Sequence, residues 1–141
     1  MTRWEPLSVL ESTARPWIER RSAVVEGVRV GETGRMRRLR PSDLGPIALT
    51  VRDYGASFDL FVDDYAPPFE LDPEDARDRD DYEHIILAVL NGNLAVELAT
   101  TIVGKRARKI SWDSGEWSFP RELGLSSIDL RKVRLNFPAY R

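Results

Sequence analysis

Apolar side chains recur at three- and four-residue steps in two stretches of this chain and at every second position through much of the rest. Leu7, Leu10, Ala14, Trp17 and Ile18 predict an amphipathic helix over residues 6 to 20, with Pro16 arguing for a break or kink near its end. Tyr82, Ile85, Ile86, Val89 and Leu90 predict a longer central helix that stops at Asn91-Gly92. Asp72 suits the N-cap of that helix, Pro73 its first position, and Glu74 and Asp75 the positive end of its dipole, so it should run over about 73–91.

Period-two patterning predicts strands at residues 23 to 30 and 35 to 40, joined by a turn at Gly31 to Gly34. Residues 46 to 53 and 57 to 62 form the strongest hairpin signal, around Tyr54, Gly55 and Ala56. Pro67 and Pro68 lack amide donors, so residues 64 to 71 read as a loop. Residues 94 to 103, 106 to 113 and 116 to 119 read as an antiparallel meander, and residues 127 to 137 as a final strand whose phase changes near Arg131. The order of elements predicts a single α+β domain over residues 1–141, mostly antiparallel sheet with an N-terminal and a central helix.

Charge changes this picture more than composition does. Residues 59 to 83 hold eleven of the 23 acidic residues against only Arg77 and Arg79, whereas the segments on either side are net basic. A near-neutral total therefore conceals a polarised molecule, which bears on partners and association rates rather than on fold. Capping and the helix dipole account for Asp72, Glu74 and Asp75, and the spacings Asp75/Arg79, Arg77/Asp81 and Arg79/Glu83 suit pairs along a solvated helix face. Asp59, Asp63, Asp64, Glu70, Asp78 and Asp80 are left over. They form either a merely solvated face or the candidate surface for a basic protein partner, with Tyr65, Phe69, Trp112 and Trp117 as candidate anchors; Trp112 and Trp117 flank one turn and could equally pack as a cross-strand pair.

Catalytic and cofactor motifs are missing. The chain has no Cys, which removes thiol chemistry and disulfides and fits a reducing, cytoplasmic setting. No apolar run approaches the ~20 residues needed to span a bilayer, and Met1 to Leu10 has no signal-peptide core. The carboxylates do not follow EF-hand spacing, glycines form no phosphate-binding loop, and His84 is the sole histidine, so no metal site, cofactor or catalytic residue is assigned. The basic runs Arg35 to Arg40 and Lys105 to Lys109 are short, and an isoelectric point near 5.5 argues against a dedicated nucleic-acid binder. Edge-strand protection by charge is the preferred reading of both runs, and internal salt bridges to the acidic segment are the other.

From Ile85 to Pro120, a helix closing in Leu90-Asn91-Gly92, a polar step to Glu97 and a short Trp-bearing meander resemble the small α+β immunity proteins of bacterial polymorphic toxin systems. The resemblance implies a non-enzymatic cytosolic protein that binds one cognate toxin, often through an acidic surface when the toxin is basic. Two other readings stay open. One is a carboxylate-dependent hydrolase or nuclease built on Asp59, Asp63, Glu97 or His84; the other is a phage or mobile-element protein whose carboxylates imitate nucleic-acid phosphates. Homodimerisation through a sheet edge is compatible with each.

Overall fold

The computed structural model describes residues 3–28, 35–63, 65, 67–120 and 123–141. Helix α1 (Pro6–Glu19) leads into a five-stranded antiparallel sheet in sequential order: β1 (Ala23–Val28), β2 (Arg35–Pro41), β3 (Leu49–Asp53), β4 (Phe58–Val62) and β5 (Phe69–Leu71). Helix α2 (Ala76–Asn91) then carries the chain to β6 (Ala95–Thr101), β7 (Gly104–Trp112), β8 (Gly115–Ser118) and β9 (Arg131–Asn136). These make a second antiparallel sheet, in the order β8-β7-β6-β9. The expected α+β architecture with two helices is therefore present, its strands divided between two sheets.

One apolar cluster joins helices and sheets. Leu10 and Ala14 of α1, Leu39, Leu49, Val51, Phe58 and Leu60 of the first sheet, Tyr82, Ile85 and Ile86 of α2, and Val96 and Ile110 of the second sheet are all buried in it. Trp4, Phe58 and Tyr82 pack ring on ring with centroids 5.0–5.7 Å apart. The Tyr82 hydroxyl donates to Pro6 O at 2.6 Å, so the start of α1 is fastened to the middle of α2. Tyr140 acts likewise from the C-terminal tail, donating to Ile47 O at 2.6 Å while its amide donates to Leu90 O at 3.0 Å.

Several boundaries differ from the sequence expectation for local reasons. Helix α1 continues through Pro16 to Glu19, and Arg20 N still donates to Pro16 O. Helix α2 begins at Ala76 rather than near residue 73, because the Asp75 side chain caps Arg77 N and Asp78 N. Asp72 instead turns back on Glu74 N, a local side-chain bond that competes with helix. Within the expected loop, Phe69–Leu71 pairs with β4 as a short edge strand. Residues 127–130 contribute a 3-10 turn and a bend rather than strand, leaving β9 to start at Arg131. The Gly31 to Gly34 turn lies outside the described residues.

The basic runs also change meaning. Strand β2 is an interior strand, so its Arg residues do not protect an edge; β8 pairs β7 only along Lys109–Trp112, so Lys105 and Arg106 have a strand neighbour on the β6 side alone among the described residues. Arg38 binds Asp63, Arg40 binds Glu26 and Arg35 binds Asp53, which neutralises most of the first run within the open face and rim of its own sheet. In the second run Arg108 is buried against Asp129, and Lys109 reaches Glu97 and Glu116.

Candidate functional site

Directly opposed residues of an antiparallel pair share a face, so the ladder Arg52, Asp59, Glu70 lies across β3, β4 and β5 on the side of the sheet turned away from the helices. Asp63 continues that face. Its Oδ2 accepts from Arg38 Nε and Nη2, both at 2.7 Å, and its Oδ1 from Thr50 Oγ1 at 2.9 Å. Asp63 is thus engaged by Arg38 and Thr50 of its own sheet. Tyr65 packs against Phe137 and lines a different hollow, of about 360 Å³, bounded by Arg38, Arg40, Leu44 and Asp63. Asp64 lies outside the described residues.

The remaining candidates gather elsewhere. Asp78 from the first turn of α2 and Trp112 and Trp117 from the β7–β8 hairpin line one open cleft of about 550 Å³, together with Asp81, Glu116 and Arg77. Asp80 is exposed on the same helix but does not form part of the wall. Helix periodicity explains why Asp78 and Asp81 belong together, since residues three apart lie on one face. The hairpin supplies the aromatic side of the cleft. Trp112 and Trp117 project from the same face of β7 and β8 and meet edge to face, with centroids 5.4 Å apart and an interplanar angle of 82°. Phe69 supports Trp117 from the edge of the other sheet at 5.2 Å.

Gly115 is the tightest point of this arrangement. It stands opposite Trp112 in the hairpin register, and a Cβ there would fall 2.8 Å from Trp112 Cζ2. Only a residue without a side chain lets the indole lie so close to the turn. Trp112 is 7% exposed, and its Nε1 finds no hydrogen-bond acceptor among the described residues.

Electrostatically the cleft is acidic. Asp81 Oδ2 accepts from Trp117 Nε1 at 3.2 Å, and Asp78 Oδ2 accepts from the amide of Asp72 at 2.9 Å. Each bond occupies one oxygen of its carboxylate and fixes its direction. Glu116 pairs with Lys109 at 3.1 Å and is well exposed. Sequence reasoning had assigned Asp81 to a helical pair with Arg77, but the indole of Trp117 takes that carboxylate instead. Nothing local in the sequence signals this contact, which spans 36 residues. Glu116 alternates with Trp117 along β8, so its side chain projects to the other face of the hairpin, toward Lys109.

A carboxylate hydrolase would need its acidic groups in one concave site. Asp59 lies on the outer face of the first sheet, and Glu97 sits beside Lys109 and Lys132 on the second. His84 is exposed on α2, so these groups do not converge. Among the described residues no group of three or more His, Asp or Glu side chains is arranged to hold a metal ion. No described helix is long and apolar enough to cross a membrane. No protein-family model, curated protein or solved structure matches this chain.

Proposed function

We propose that this chain is a non-enzymatic binding protein, of the kind an immunity protein exemplifies, whose α2–β8 cleft receives cationic side chains of a basic protein partner. The observation that carries the reading is the placement of Asp78 and Asp81 on the cleft that Trp112 and Trp117 line. Carboxylates attract a guanidinium or ammonium group, and an indole face adds a cation–π contact that a purely solvated acidic helix would not offer. Of the residues left over in the acidic segment the cleft keeps Asp78, and it adds Asp81 from the same segment. Asp59 and Glu70 lie on a separate face and contribute through the long-range field, which raises association rates at low salt.

The test compares the wild-type chain with Asp78→Asn/Asp81→Asn in affinity capture from the host cell. Asn retains an acceptor oxygen for Asp72 N and for Trp117 Nε1, so the variant removes charge while keeping the fold. The wild type should retain a basic protein that high salt elutes and the variant does not hold. Equal retention by both chains, unaffected by salt, overturns the proposal.

A further inference from the structure

The β6–β7 hairpin ends in an apolar tip. Its turn residues are Ile102 and Val103, 59% and 51% exposed, at positions where turn geometry favours Gly, Asn, Asp or Ser. Thr101 closes the turn from within the strand, its Oγ1 donating to Gly104 O at 2.7 Å and accepting from Val103 N at 3.3 Å. Neither turn preference nor core packing therefore accounts for two large apolar side chains there. Leu130, 63% exposed, joins the tip from beside β6, because its amide donates to Thr100 O at 2.9 Å. Leu125 and Ile128 of the loop before it are exposed as well, and the 3-10 turn Gly124–Ser127 in that loop lies against β6.

Cations stand directly behind the tip on both faces of the sheet. Lys105, Thr100 and Arg131 oppose one another across β7, β6 and β9 and share one face, while Arg106, Ala99 and Lys132 share the other. These rows begin two to three residues from the turn, about 7–10 Å along the strands. Strands β6, β7 and β9 with the loop 123–130 carry seven Lys or Arg residues against two carboxylates, Glu97 and Asp129. Asp129 is nearly buried against Arg108, and Glu97 sits farther back, opposite Lys109 and Arg134. Lys132 leans toward both, at 3.9 and 3.6 Å, so the excess charge at the tip falls mainly to exposed Lys105 and Arg131.

We infer that this tip docks on an anionic bilayer surface, with Ile102, Val103 and Leu130 entering the headgroup boundary and Lys105 and Arg131 meeting anionic headgroups. Large exposed apolar patches mark interaction sites, and apolar groups at a membrane surface enter about 5–10 Å, the depth at which these cations begin. A flat anionic surface meets the cations of both sheet faces at once, whereas a protein laid on either face would reach one pair. A second copy of the chain would set like charges together. The length of β7 fixes the orientation. Trp112, in the wall of the acidic cleft, lies at the opposite end of β7 from Gly104, about 26 Å away. That is about three Debye lengths at physiological salt, so the cleft carboxylates do not offset the attraction and the cleft stays open to its own partner.

Cosedimentation of the intact chain with vesicles is the experiment. One set is phosphatidylcholine alone, and the other is phosphatidylcholine and phosphatidylserine in about equal parts. The chain should pellet with the mixed vesicles, stay in solution with the neutral ones, and be released by salt. Ile102→Ser/Val103→Ser and Lys105→Gln/Arg131→Gln should each weaken binding about tenfold or more, with unfolding midpoints near wild type because all four side chains are exposed. The chain has no Cys, so Val103→Cys takes a single environment-sensitive fluorophore, whose emission should shift to the blue on mixed vesicles. The same label at Asp113→Cys, beyond the other end of β7, should not shift. Asp78→Asn/Asp81→Asn should bind vesicles at least as well as wild type, so the tip and the cleft fail separately. Equal binding to both vesicles, binding to neither, an unshifted Val103→Cys label or full binding by the Ser variant overturns the inference. So does a wild-type dimer in sedimentation velocity that Ile102→Ser/Val103→Ser dissolves, since the tip then meets a second copy.

Discussion

Trp117 Nε1 donates to Asp81 Oδ2 at 3.2 Å and so joins the β7–β8 hairpin to helix α2. The same bond turns one carboxylate into the wall of a cleft and holds the indole beside it. Asp81→Ala removes the acceptor and should cost about 1 kcal/mol of stability. Asp81→Asn keeps it and should stay within about 0.5 kcal/mol of wild type. Urea unfolding of the two variants separates the structural part of Asp81 from its charge.

Arg108 and Asp129 form a buried pair, their side chains 6% and 10% exposed, with Nη2 2.7 Å and Nε 2.9 Å from Oδ1. Lys132 Nζ also lies 3.9 Å from Asp129 Oδ2, but it is largely exposed. Arg108→Met should destabilise the chain by about 3 kcal/mol, and adding Asp129→Leu should restore part of that loss. Denaturant midpoints for the single and double variants give the coupling directly.

Gly92 ends α2 at φ +76, and a Cβ there would lie 2.6 Å from the backbone nitrogen of Ala139. Gly92→Ala meets a left-handed backbone and an immovable neighbour together, so a loss of about 2 kcal/mol or more is expected. Thermal unfolding is the measurement. Gly55→Ala, also at positive φ but with open space around it, should cost less.

Alkaline stability follows from two phenols. Burial, followed by the charges of Asp53 and Glu83, raises the Tyr82 hydroxyl well above its usual range. Burial, followed by Asp63 and opposed by Arg38, raises Tyr140. Both states are protonated below about pH 10, so the tyrosine contribution is fully present there; above it the unfolded chain ionises first and stability falls. Chemical denaturation should show no tyrosine-linked change from pH 7 to 9, then a decline of up to about 1.4 kcal/mol per pH unit for each phenol. Tyr82→Phe should make that decline shallower, at a cost of about 1 kcal/mol at neutral pH from the bond to Pro6 O.

Local chemistry made much of the fold legible. The stripe Tyr82, Ile85, Ile86, Val89, Leu90 with the stop at Gly92 marked α2, and alternating β-branched residues marked most strands. Errors came where two local signals competed. Asp72 and Asp75 are both good caps, and the choice depended on which side chain could reach the free amides. Phe69–Leu71 was hidden by the prolines before it, because its strand character comes only from pairing with β4.

The sequence alone determined the two helices, the antiparallel strands and the concentration of negative charge between residues 59 and 83, because periodicity, caps, turns and charge are properties of neighbours along the chain. Tertiary structure decided which carboxylates share a surface. It gave Asp63 to Arg38 and Thr50, placed Asp59 and Glu70 on one face, and set Asp78 and Asp81 against Trp112 and Trp117. Those partners are far apart in sequence. Only burial of one core shared by two sheets and two helices brings them together.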